Sequence, residues 1–394
     1  MHRLSQSPTD PAFVQNPYAF YDRARARGPI VWWEDYGMPA ALSHAAVNAI
    51  LRDRRFGREE PAELRQPIPD HLAPFYAVEA HSMLELEPPR HTRLRGLVLR
   101  AFTSRRIAAL GPDIAALAGE LAAALPRDAP FDLLTGFAQP IPVRIIARLL
   151  GVPEDMAPDL LRWSNAMVGM YQAKRTPQME AAAVQAAQDF AAFLRAYVEE
   201  RRAKPADDLI THLIAAEAEG ERLSTDELIT TCILLLNAGH EATVHSIGNG
   251  VHALLRHGCG ADVLAPDRIA ATVEEILRWD PPLHLFARWA YEDVEVMGHQ
   301  FRRGDRVACL LGAANRDPRM YDAPHRFNPA RPAQGNLAFG GGLHFCVGAP
   351  LARLELQIAL PALFAALPGL RLAGPASYAD AYHFHGLERL MVAA

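Results

Sequence analysis

Cysteine is scarce in this chain, with only Cys232, Cys259, Cys309 and Cys346 among 394 residues. None stands in a Cys-x-x-Cys arrangement, which argues against a zinc site or a redox dithiol. A disulfide framework is not expected either, because a chain this long builds a core without staples. Any cysteine with a chemical task acts alone. A basic surface is missing too. The formal net charge is −5, the wrong balance for a nucleic-acid partner. The amino end, MHRLSQSPTDPAFVQNPYAF, carries no apolar run of the secretory type. The most apolar stretch, Cys232 to Leu236 with its neighbours, is too short to span a bilayer. A cytoplasmic protein with no membrane contact is expected. Length alone would suggest two or three domains, but repeats and low-complexity linkers are absent and prolines are spread along the chain, so no clear domain boundary appears.

Apolar residues, by contrast, make up 50% of the chain, enough for a large core. Helical patterning dominates. Ala-, Leu- and Arg-rich segments with apolar residues three and four apart run from about Pro112 to Leu125, Pro142 to Leu150 and Gln178 to Arg202. The prolines that open the first two suit a first helical turn. At Ser224-Thr-Asp-Glu227 a capping box opens a further helix, with Gly258 as its stop. On the order of 30 residues, it would run about 45 Å and cross the middle of the molecule. Another helix runs from about Asp267 to Trp279 and halts at Pro281-Pro282. Short β-like pieces follow at Phe286–Tyr291, Val294–Met297 and Arg306–Leu311. A final helix begins near Pro350. The fold class is mainly α with a small β portion.

The strongest signal is the stretch Phe339-Gly340-Gly-Gly-Leu-His344-Phe-Cys346-Val-Gly348. Glycine permits turns and close approaches that other residues forbid, and Pro350 suits the first turn of a helix. Cys346 therefore sits on a tight loop just ahead of a helix N-terminus. The helix dipole and free N–H groups there are expected to lower its pKa and favour thiolate. Thiolate is a proximal ligand for haem iron. A buried, inert cysteine would explain a lone Cys near glycines but not the whole pattern. That pattern, F-G-x-G-x-H-x-C-x-G, resembles the haem-binding signature of the cytochrome P450 family at every position. His344 would then stand near a haem propionate.

Other stretches strengthen the resemblance. Glu275-Ile-Leu-Arg278 places acid and base on one helix face. It resembles the family's E-x-x-R motif, which is completed by an arginine from the segment before the cysteine loop. Here either Arg326 or Arg331 could serve. Arg288 matches the family's strand arginine that binds a propionate; alone it would read as a strand-edge cation. His91 and Arg95 share a helix face after Pro88-Pro89, and a face with His and Arg suits an anionic propionate. They resemble the family's H-x-x-x-R motif. The resemblance spans nearly the whole chain and implies a single P450-fold domain over residues 1–394, with the long central helix crossing the distal side of the haem. It implies haem b (iron protoporphyrin IX) as cofactor, held by His91, Arg95, Ala238, Gly239, Arg288, Phe339, Gly340, His344 and Gly348, with Cys346 on the metal.

The distal helix departs from the family pattern. Ala238 and Ala242 share a face, where small side chains admit a flat cofactor or dioxygen. The family's stretch reads A-G-x-[D/E]-T, and its acid and threonine serve proton delivery. This chain reads Ala238-Gly239-His240-Glu241-Ala242-Thr243. Glu241 keeps the acid, but Ala242 stands where the threonine belongs. Thr243 is about 100° further around the helix and does not simply take over. Glu241, Ala242 and Thr243 are the catalytic candidates. Either the substrate supplies the missing hydroxyl, or ordered water and Thr243 suffice.

The resemblance implies a monooxygenase that inserts one oxygen atom of O2 into a small, mostly apolar substrate. No reductase is expected in the same chain. Electrons from NAD(P)H would arrive through a separate ferredoxin and ferredoxin reductase, and the protein would be a monomer. Arg90, Arg93, Arg100, Arg105 and Arg106 could dock an acidic ferredoxin, or be solvated helix charges. Substrate contacts are expected from Glu60–Leu86, Trp163–Tyr171, the helix around His240, Leu283–Phe286 and Tyr382–His385. Two alternatives stand beside this reading. One is a peroxide-driven peroxygenase or decarboxylase on the same fold. The other is a non-catalytic haem protein that binds a ligand.

Overall fold

The computed structural model describes residues 1–171, 175–218, 221–333 and 335–394. Helices form the frame, and short strands fill its margins. The organising element is the helix Thr225–Arg256. Ser224 Oγ accepts from the Glu227 N–H at 3.2 Å, and the Glu227 carboxylate accepts from the Ser224 N–H at 2.9 Å. Both halves of the expected capping box are therefore made. Just past its end Gly258 takes a φ of 62°, the left-handed turn that stops a helix. Its 32 residues are apolar on most sides and run about 48 Å. Ile229, Cys232, Leu236, Ile247, Val251 and Leu254 are buried along its length.

Helices Pro140–Leu150, Ala157–Val168 and Pro177–Ala203 pack around it. Pro140, rather than Pro142, opens the first of these, at a position that needs no N–H donor. The expectation about apolar length needs correction. Ser104–Ala124 and Ala349–Ala366 are long and apolar enough to cross a membrane. Helices Gly111–Ala124 and Ala349–Ala366 pack on each other. They bury Ile114, Leu117 and Ala118 on one side and Leu356, Ala359 and Leu363 on the other.

A six-stranded sheet forms a second layer, in the order Arg3–Leu4, Ile30–Trp33, Met38–Ala41, Arg306–Leu310, Leu285–Ala290 and Phe56–Gly57. Strands Arg306–Leu310 and Leu285–Ala290 pair antiparallel, with Val307 opposite Arg288. This register sets Arg288 on a strand inside the molecule, with 2% of its surface exposed.

Two buried polar centres tie the layers together. In the first, Arg278 donates to Glu275 from Nε at 2.7 Å and from its terminal nitrogen at 2.8 Å. Arg331 Nε donates to the same carboxylate at 3.1 Å. Arg331 is thus the third member, while Arg326 offers only its backbone carbonyl, to Arg278 and Arg331. Arg278 also holds the Asn315 carbonyl at 2.9 Å, and Asn315 Oδ1 accepts from the Leu337 N–H at 2.7 Å. The cluster thereby fixes the start of the cysteine loop.

Asp280 is the second centre. Tyr18 and Tyr378 donate their hydroxyls to its two oxygens at 2.6 and 2.5 Å. The rings of His284 and His385 stand 3.6 and 3.5 Å from Oδ1. One carboxylate and two histidines within 4.8 Å could hold a metal ion. Here Asp280 is already served by two hydroxyls, and the buried Arg316 adds its positive charge nearby. A divalent cation would bring further positive charge into a site already neutralised. The cluster is an anion held by donors, and it anchors the C-terminal hairpin against the end of helix Ile269–Trp279.

Candidate active site

The cysteine loop is shaped by its glycines. Gly340 and Gly342 adopt φ of 70° and 67°, where only glycine is unstrained. A Cβ on Gly342 would lie 2.2 Å from the Leu51 carbonyl oxygen. With this close fit, the Gly340 N–H donates to Leu337 O at 2.9 Å and the Cys346 N–H to Phe339 O at 3.1 Å. The turn delivers Cys346 to the start of helix Ala349–Ala366.

Cys346 lines a cavity of about 1000 Å³. Ala238, Gly239, Ala242, Thr243 and Ser246 of the long helix line it as well. The thiol's acidity departs from expectation. Burial pushes its pKa up, and the N–H groups of Gly348 and Ala349 only partly offset that rise. The helix N-terminus acts in the foreseen direction, but desolvation wins. Thiolate formation at this site therefore calls for a bound cation, which deprotonates a coordinating thiol outright.

A polar wall adjoins the cysteine. His91, Arg95 and His344 line the cavity, and the rings of His91 and His344 lie 4.3 Å apart. His91 Nδ1 is buried without a hydrogen-bond partner. Burial, with His344 and Arg95 nearby, pushes the His91 pKa down to about 4, so the ring is neutral. Arg95 donates to the Phe345 carbonyl at 2.7 Å, and His344 Nε2 contacts Glu87 Oε1 at 2.8 Å. Arg288 lies behind this wall, beside a side cavity of about 160 Å³ shared with His344 and Glu87. Its guanidinium donates to the Ala287 carbonyl at 2.8 Å. Among the described residues no carboxylate pairs with it, and burial pushes its pKa down to about 10. A buried guanidinium without a counter-ion and an orphaned imidazole nitrogen suit a flat ligand that carries carboxylates. With a lone sulfur on the same cavity, the donor set fits haem.

The catalytic candidates separate. Ala242 and Thr243 line the cavity; Glu241 does not. Thr243 Oγ1 donates to the Gly239 carbonyl at 2.9 Å, a local bond that side chains of this type favour inside helices. Glu241 turns along the helix flank, with Oε1 3.7 Å from His245 Nε2. The i, i+4 spacing of this pair is visible in the sequence, yet His245 escaped notice there.

The expected substrate segments contribute in part. Phe75, Met83, Met170, Leu283 and Phe286 give an apolar lining. Trp163, His240 and His385 are absent from it, which corrects the expected segments. Trp163 packs at a tilt against the rings of Phe190 and Phe193. His240 is buried with neither ring nitrogen partnered, and burial pushes its pKa down to about 4. Glu79 and Tyr171, by contrast, do line the cavity. The Tyr171 hydroxyl donates to Glu79 at 3.0 Å, and burial pushes the Glu79 carboxyl up to about 7.

The basic run is less free than its sequence suggested. Arg93 pairs with Glu227 and Arg106 with Asp207, while Arg90 holds the Ala80 carbonyl at 2.9 Å. Arg100 and Arg105 remain exposed, as do Leu99 and Phe345.

Known proteins share this arrangement over almost the full length. The cytochrome P450 family model matches residues 15–258 and 269–366. The vitamin D(3) 25-hydroxylase of Pseudonocardia autotrophica is 38% identical over 390 residues, covering 96% of this chain and 94% of the relative. The polyketide biosynthesis cytochrome P450 PksS of Bacillus subtilis is 36% identical over 384 residues, covering 95% of this chain and 94% of the relative. The crystal structure of P450BioI in complex with hexadec-9Z-enoic acid ligated acyl carrier protein aligns with a TM-score of 0.90. It is 34% identical and covers 97% of this chain and 99% of that one. With a cysteine loop, a buried Glu-Arg-Arg cluster and a long cavity-lining helix in place, the chain belongs to the cytochrome P450 family.

Proposed function

We propose that this protein is a haem-thiolate monooxygenase that inserts one atom of O2 into a small, mostly apolar organic substrate. The observation that carries the reading is Cys346 on a cavity of about 1000 Å³ shared with the small residues Ala238, Gly239 and Ala242. Bound haem would supply the electron transfer and oxygen activation that no side chain offers. Cys346 would hold the iron as thiolate, and His91, Arg95, Arg288 and His344 would take the propionates. Ala242 leaves room on the distal side, and the apolar lining excludes water and orients one C–H bond. Among the relatives, names refer to vitamin D(3) and to a hexadecenoic acid on its carrier protein. Both are apolar and extended, in keeping with this lining.

Electrons would come from NAD(P)H through a ferredoxin and its reductase. Leu99 and Phe345 are exposed beside Arg95, which holds the Phe345 carbonyl, and Arg100 stands next to Leu99. Exposed apolar residues neighbouring arginines on the cysteine side suit a small acidic partner. The distal side asks for a substrate that carries its own hydroxyl, because Ala242 has none. Ala242→Thr should then change product yield and peroxide leakage differently for substrates with and without a hydroxyl. Equal effects on both would remove this part of the proposal.

The same missing hydroxyl favours a second reading, turnover driven by peroxide. Isotopically labelled dioxygen separates the two. With reductase, ferredoxin and substrate, the monooxygenase places one labelled atom in the product. Unlabelled product, formed equally well with peroxide alone, would establish the second reading instead.

A further inference from the structure

Proton supply to the cavity has no free hydroxyl on the long helix to run through. Ala242 offers none. Thr243 Oγ1 donates to the Gly239 carbonyl at 2.9 Å and Ser246 Oγ to the Ala242 carbonyl at 2.8 Å. Thr230, the third hydroxyl that this helix gives the cavity, donates to the Val78 carbonyl at 3.0 Å, so all three hydroxyl hydrogens are committed to the backbone.

On the flank of the same helix stands a different pair. His245 Nε2 lies 3.7 Å from Glu241 Oε1, a few tenths of an ångström beyond hydrogen-bond length. Such contacts are often long before the reacting complex assembles. Each partner also keeps a second polar atom in the interior. Glu241 Oε2 and His245 Nδ1 are buried and have no hydrogen-bond partner. Unpaired polar atoms of this kind are uncommon and call for an explanation. The imidazole is also confined. A Cβ at Gly386 would lie 1.8 Å from His245 Nδ1, so the ring fills the space that this glycine leaves open. The hairpin that carries Gly386 also carries His383. That ring lines the cavity and lies within the field of the Glu241 carboxylate.

We propose that Glu241 and His245 form a proton-exchanging pair that supplies the cavity with protons from the flank of the long helix, upstream of any hydroxyl the substrate places beside Ala242. The proposal rests on the monooxygenase reading, in which reduction of O2 consumes protons. In the step, the His245 ring gains a proton at Nδ1 and gives its Nε2 proton to the Glu241 carboxylate. The N–H bond breaks as the O–H bond forms, leaving a neutral ring and a neutral acid. Glu241 then hands the proton on toward the cavity through water beside His383, which lines the cavity. Exchange with solvent, to which 14% of the His245 side chain is exposed, then returns the ring's proton from Nδ1 to Nε2. Because His245 acts through Glu241, it is a positioning residue.

The first test needs no turnover. Nitrogen NMR of the haem-loaded ferrous carbonyl form, which is diamagnetic, reads the tautomer of His245. In the wild type the proton should sit on Nε2, facing Glu241, and in Glu241→Ala that bias should be lost. An identical tautomer in both proteins would overturn the pairing. The second test is coupling. His245→Gln keeps a donor of similar reach but cannot carry a proton. Product per electron should fall, with peroxide rising, on the order of tenfold or more, while haem loading and the substrate-induced spin shift stay as in the wild type. Wild-type coupling in His245→Gln would sink the proposal, and His245→Asn provides the same readout if the glutamine variant folds poorly. A wild-type protein that forms no product with its electron partners would instead count against the monooxygenase reading, and the tautomer test would still judge the pair.

Discussion

Glu355 offers a test of the interior that is independent of turnover. It lies on helix Ala349–Ala366 with 1% of its surface exposed, and its Oε1 has no hydrogen-bond partner. Burial pushes its carboxyl from 4.5 up to about 8. The folded protein thus holds this proton to about pH 8, whereas the unfolded chain releases it near 4.5. Between those values unfolding releases a proton, so stability falls as pH rises. At about 1.4 kcal/mol per pH unit the loss totals about 5 kcal/mol across the interval. Glu355→Gln replaces the acid with a neutral group of the same shape. The variant should therefore lose less stability than the wild type between pH 4.5 and 8, by an amount approaching that total. Histidines that burial pushes down, His91, His240 and His383 to about 4, act with the opposite sign. They lose stability as pH falls through 6.5 toward 4, but equally in both proteins, so the difference cancels them. Urea unfolding of both haem-loaded proteins, followed by far-UV dichroism over that pH range, measures the effect. Parallel curves would refute the reasoning.

Two further substitutions probe the site and its support. Arg288→Met removes a guanidinium that has no carboxylate partner among the described residues, so haem should leave at least about tenfold faster, as expected when a buried charge-assisted contact worth ~1.5–3 kcal/mol is lost. Haem transfer to an acceptor protein reads this, and an unchanged rate would place the propionates elsewhere. Glu275→Gln strips the carboxylate from Arg278 and Arg331 and should destabilise the fold by about 3–5 kcal/mol. An unfolding midpoint equal to the wild type would show that the backbone carbonyls around Arg278 suffice.

Features carried by local sequence were legible: the capping box at Ser224, the glycine-framed Cys346 and the acid–base pair at Glu275 and Arg278. Each is written within a few residues, and each appears in the structure. Long-range pairing was not legible. Strand Arg306–Leu310 joins Met38–Ala41 across most of the chain, and the strands from the amino end are too short to show a period. The choice between Arg326 and Arg331 depends on how a proline-rich turn folds back on Glu275, which spacing alone does not reveal. Asp280 was hidden for the same reason, since Tyr18 and Tyr378 reach it from opposite ends of the sequence. The Cys346 thiol shows a different limit. Its place before a helix was visible, but the competing burial depends on atoms contributed by the whole fold.

The central claim is that Cys346 holds the haem iron as thiolate, and the ferrous carbonyl spectrum tests it most directly. The wild type should show the red-shifted Soret band that thiolate ligation gives, and Cys346→Ser, loaded with haem, should lose it. A wild-type protein without that band, or a serine variant that keeps it, would contradict the account.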